Sequence, residues 1–83
     1  MTMERKPMKQ EEKRRIAVGA TRSEARRNNF DPAKLTAEDA IKVLDDLSQK
    51  EPDLIACQWY TSASERQMKM FKRDWNNWRR RDS

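Results

Sequence analysis

Eighty-three residues with 40% charged and 35% apolar side chains can form at most one domain, and its core must be small. The absence of histidine and the single cysteine, Cys57, exclude an intrachain disulfide and a zinc site. The net charge of +5 is unevenly spread: residues 1–28 hold nine Lys/Arg against four Asp/Glu, residues 29–58 three against seven, and residues 59–83 seven against three.

Residues 1–29 read as a basic N-terminal arm. MTMERKPMKQEEKRR has no apolar stretch behind its charges, so it is not a secretory signal. The following KQEEKRRIAVGATRSEARRNN is rich in helix formers but poor in large apolar residues, and Gly19 interrupts it. Thr21-Arg22-Ser23-Glu24 has the spacing of a capping box, in which hydroxyl and carboxylate each take an orphan backbone N–H. The expectation is one or two short helices, partly disordered in isolation and helical on binding, because little apolar surface offsets the ordering entropy. Asn28-Asn29 reads as a break.

Residues 30–83 hold nearly all the large apolar side chains and read as a small helical domain. Asp31-Pro32 opens a short turn, with Asp as cap and Pro at the first helical position. Thr36 then caps a helix over about 36–50. Ala37, Ala40, Ile41, Leu44, Leu47 and Ser48 share one side of it. Glu38–Lys42 and Asp46–Lys50 are i,i+4 pairs, and Pro52 stops the helix. PDLIACQWYTS admits a strand by composition, but no second strand exists to pair with it, so a short helix over about 53–60 is expected. The apolar run LIACQWY is far shorter than the ~18 residues a membrane span requires, and a cytoplasmic protein is expected. Ser62-Ala63-Ser64-Glu65 matches a capping box and opens the last helix, about 63–80. The fold expected is all-α: a helical hairpin or three-helix arrangement, with the helix at 36–50 antiparallel to the last one.

On the last helix Met68, Phe71, Trp75 and Trp78 form one apolar seam, bordered by Arg79, while Arg66, Lys69, Arg73 and Arg80 line the opposite face. Base stacking wants rings and cations on one face; a packing seam wants them apart, as they are here. The rings are therefore expected to pack against protein, with the 36–50 stripe as the nearest mate and Trp78 overhanging as a binding anchor. A basic helix with tryptophans also suits a membrane surface, which ranks below protein and nucleic acid. Lys13-Arg14-Arg15 with Arg22, Arg26 and Arg27 resembles, over residues 13–27, the arginine-rich helices that phage antitermination proteins use on RNA hairpins; Glu11, Glu12 and Glu24 dilute the likeness.

Chemistry is sparse. Glu38, Asp39, Asp45 and Asp46 are the only dense carboxylates, and Lys42 sits among them as their natural partner, so a solvated charged face is the reading rather than a metal site. No phosphate-cradling loop, nucleophile elbow or histidine base is present. Cys57 reads as a small buried hydrophobe. No enzyme, cofactor, metal or small-molecule substrate is expected. The expected function is a non-catalytic regulator or adaptor that binds a larger protein, or self-associates, through Met68, Phe71, Trp75, Trp78 and Arg79. The alternative is direct nucleic-acid binding through Arg14, Arg15, Arg22, Arg26, Arg27, Arg66, Lys69, Arg73 and Arg80. Small size, basic ends and tryptophan use resemble accessory proteins of phages and other mobile elements, and that resemblance implies a partner in a nucleic-acid-handling machine.

Overall fold

The computed structural model describes residues 9–82. Its elements are helix α1 (Gln10–Arg27), a 3₁₀ turn (Pro32–Lys34), α2 (Ala37–Lys50), α3 (Ile55–Ser62) and α4 (Glu65–Asp82). Among the described residues there is no strand, and no helix is long and apolar enough to cross a membrane. The chain is all-α, as its periodicities predict.

The N-terminal segment departs from expectation. Residues 10–27 form one continuous helix that packs against α2, α3 and α4, so there are four core helices and not three beside an arm. The residues of that arm before Lys9 lie outside the described ones. The face α1 turns inward carries Arg14, Ala17, Val18, Thr21, Glu24 and Ala25, all buried. Small side chains let the helix approach closely, and the stems of Arg and Glu supply apolar contact that their heads disguise. Thr21-Arg22-Ser23-Glu24 caps nothing: the Thr21 hydroxyl donates to the Ala17 carbonyl at 2.7 Å, inside the helix. Glu24 turns to Lys50 of α2 and to Arg27, each at 3.7 Å.

Gly19 does not break α1. A Cβ placed there would meet only the tip of the Arg22 side chain, at 3.8 Å, and the backbone is helical. Gly19→Ala should therefore stabilise the fold by about 0.5–1 kcal/mol, through helix propensity and a less flexible unfolded chain. At this length that raises the thermal midpoint by about 2–8 °C. A melting curve that moves down would mean this turn of the helix is strained.

The helix ends where the Asn pair predicts. Asn29 takes a left-handed φ of 64°, which asparagine tolerates better than most residues. Its N–H bonds the Arg26 carbonyl at 3.0 Å, and the Phe30 N–H bonds the Ala25 carbonyl at 2.9 Å, the two closures of a Schellman motif. Asp31 then caps the 3₁₀ turn, accepting from the Ala33 N–H at 3.1 Å, and Thr36 caps α2, accepting from the Asp39 N–H at 3.1 Å. Glu38 and Lys50, expected in pairs within α2, instead reach Lys72 of α4 at 3.9 Å and Glu24 of α1 at 3.7 Å.

Both later helices start two residues after their expected positions. Pro52 and Asp53 are spent in a turn, and Leu54 is the residue before α3. The cap of α4 is Ser64, whose hydroxyl accepts from the Gln67 N–H at 3.3 Å. Ser62 closes α3, its hydroxyl donating to the Gln58 carbonyl at 2.9 Å.

The core lies where the four helices meet. Ala17 and Val18 of α1, Ala37, Ala40 and Leu44 of α2, Ala56 and Trp59 of α3, and Phe71 and Trp75 of α4 form its buried cluster. Trp59, Phe71 and Trp75 run through it as a file of rings, with centroids 5.8 Å and then 6.3 Å apart. Large rings set between alanines let a core of few residues exclude water, each full burial contributing about 1.5–3 kcal/mol. Cys57 is fully buried, as a small hydrophobe would be.

Candidate functional site

The expected docking seam is mostly interior. Phe71 and Trp75 are 0% exposed and present no surface to a partner. The Trp75 indole N–H donates to the Leu35 carbonyl at 2.9 Å, and Arg79 Nε donates to the Ala33 carbonyl at 3.1 Å, which pins α4 to the 3₁₀ turn. Met68 is half-buried against the core. It borders a cleft with Glu65, Lys69 and Lys72, and of the seam's rings only Trp78 opens onto one, between α1 and α4.

That cleft runs between α1 and α4 and measures about 480 Å³. A buried strut sets its geometry. Arg14, 5% exposed, donates from Nε to Asp74 Oδ2 at 2.7 Å and from Nη1 to Gln67 Oε1 at 3.0 Å. Its charge is thus spent on holding α1 to α4, and it is unavailable to a ligand. Above the strut, Arg15 and Arg22 from α1 face Arg73 and Arg81 from α4, with Trp78 between them. The Arg22 guanidinium lies over the Trp78 ring, 4.8 Å from its centroid.

Only two carboxylates share the cleft, Glu11 and Asp74. Glu11 meets Arg15 at 3.0 Å, with both side chains more than half exposed, so solvent screens the pair and an incoming anion can replace it. Asp74 is committed to Arg14 and lies 4.0 Å from Arg73. Arg22 and Arg81 make no ion pair among the described residues. The wider field agrees: α1 and α4 together carry thirteen Lys/Arg against six Asp/Glu, α2 carries two against four, and α3 carries none. The positive charge is gathered on the α1/α4 side.

The other expected cations scatter. Arg26, Arg27, Arg66 and Lys69 are exposed but do not line this cleft. Arg80 donates to Asn77 Oδ1 at 2.7 Å and borders a separate cleft with Ala33 and Arg79. The basic column inferred on α4 therefore splits, and Arg73 alone of it joins Arg15 and Arg22. Arg81 was missed from sequence. Its signal is the run Arg73, Asn77, Arg81 at intervals of four, which lies alongside Trp78 on the helix surface.

The rest of the surface offers little chemistry. Among the described residues no three His, Cys, Asp or Glu side chains are grouped to hold a metal ion. Partial burial raises the Tyr60 hydroxyl above its ordinary pKa, helped by the hydrogen bond it donates to Asp45 Oδ1 at 3.0 Å. That bond ties α3 to α2 and faces no cleft used here. No protein-family model, curated protein or solved structure matches the chain, so its function is argued from the geometry of this site.

Proposed function

We propose that the chain is a non-catalytic nucleic-acid-binding protein that grips phosphates in the α1/α4 cleft. One observation carries the reading: Arg15, Arg22, Arg73 and Arg81, from opposite ends of the sequence, converge on one groove containing two acids. Guanidinium groups suit phosphate because their N–H forks match its oxygens, and a groove lined by one sign of charge concentrates the field.

The expected behaviour is steep salt dependence. Four phosphate contacts imply a slope of about −3.6 in log affinity against log salt, and so a loss of roughly 100-fold between 50 and 200 mM. Arg22→Gln with Arg81→Gln should halve that slope and weaken binding to all sequences alike. Fluorescence anisotropy of a labelled oligonucleotide at several salt concentrations checks both. Binding that ignores salt, or that is untouched by the double substitution, would refute the assignment.

A second reading, docking on a larger protein as a regulator or adaptor, is favoured by a different surface. Ile16 of α1, with Leu54 and Ile55 at the start of α3, is 38–44% exposed, and these aliphatics lie on the flank of α1 away from the cleft. The arginine substitutions leave that flank intact, so protein binding that survives them would belong to it.

A further inference from the structure

Trp78 is the one ring lining the cleft, and its surroundings bear on how a nucleic acid would be held. Trp75 packs against it from within α4, with centroids 5.1 Å apart and planes tilted by 56°. From α1, the Arg22 guanidinium lies over the ring at 4.8 Å. A base stacking on Trp78 would have to displace that cation. A guanidinium held over an indole by its charge still has N–H donors to offer a phosphate. The ring thus acts as a platform for Arg22, and Arg22 as the contact for the ligand.

We infer that the cleft holds the sugar-phosphate backbone of double-stranded nucleic acid and does not stack the bases of single strands. The inference rests on the phosphate-binding reading above and deepens it. A surface that stacks bases gains from unpaired strands, where ring faces are open. A surface that only neutralises phosphates gains from charge density, and a duplex carries one charge per about 1.7 Å of axis. The arginines here stand around a ring that is already covered, which is the second arrangement. Arginines engaged on phosphates fix register and orientation but carry no sequence information directly.

The test compares a short labelled duplex with an oligo-dT strand of equal length, at several salt concentrations, for the full chain and for Trp78→Phe and Trp78→Leu. With four contacts, the difference between duplex and single-strand counterion release predicts about sixfold tighter binding to duplex at 0.1 M salt. Trp78→Phe keeps a ring beneath Arg22 and should leave both affinities within about twofold. Trp78→Leu should weaken both probes equally, by no more than about fivefold, since only the platform is lost; a circular dichroism spectrum verifies that each variant is folded. Equal or tighter binding of oligo-dT, or a loss in Trp78→Leu confined to oligo-dT, would overturn the inference while leaving phosphate binding standing. Absence of salt-dependent binding to either probe would remove both.

Discussion

Trp75→Ala is expected to leave the chain largely unfolded at 25 °C. The indole is 0% exposed, stacks near Phe71 at 6.3 Å and 20°, touches Trp78 at 5.1 Å, and donates to the Leu35 carbonyl. Truncation opens a cavity in the middle of the ring file, at about 3–5 kcal/mol for an aromatic. It also strands the carbonyl that the indole satisfied, at about 1–3 kcal/mol if water cannot reach it. A protein of this length has a total stability of about 4–12 kcal/mol, so the loss is comparable with the whole. Trp75→Phe keeps a ring but not the donor and should cost about half as much. Urea denaturation followed by circular dichroism ranks the two. An alanine variant within 1 kcal/mol of the parent would show that the file of rings is not what holds α4 down.

The second large effect concerns the strut under the cleft. Asp74→Ala should cost about 2–4 kcal/mol, and Arg14→Met about half of that. The asymmetry follows from burial. The Arg14 side chain is 6% exposed and Asp74 28%, so removing the acid leaves a cation shut inside without its counter-charge. Removing the cation leaves an acid that water partly reaches, with Arg73 4.0 Å away, while Met preserves the packing of the arginine stem. The range lies below that of a fully enclosed pair because Asp74 is partly solvated. The double variant should recover most of the Asp74→Ala loss, since no isolated charge then remains inside. A double-mutant cycle measures this. Additive losses would mean that the two residues act separately.

What could be read in the sequence divides along chemical lines. Backbone signals were plain after α1, whereas within it Gly19 and the Thr21–Glu24 spacing suggested breaks that the continuous helix does not have. Asp31, Thr36 and Pro52 act where their types and positions say they must, because a capping oxygen or a missing N–H works locally. The rings of α4 were also legible as a packing seam, since four large apolar residues at helical spacing need a partner. Helix α1 was not. Its inward face is Ala17, Val18, Thr21 and Ala25, flanked by the stems of Arg14 and Glu24, and such a face looks polar when residues are counted by type. Its burial is decided by close approach to α2 and α3, which is a tertiary matter. The cleft was half legible for the same reason. The cations were found, but which of them face one another depends on how α1 lies against α4.

That closure of α1 on α4 has a kinetic consequence. The Arg14–Asp74 contact spans 60 residues of chain, so the entropy of closing a long loop must be overcome before the seam between the first and last helices rewards it. Helices α2 and α3 are sequence neighbours and can pair early, whereas the groove comes into being only when the chain's two ends dock. Opening of that late joint on the native side of the main barrier would erase the phosphate grip while α2 stays helical.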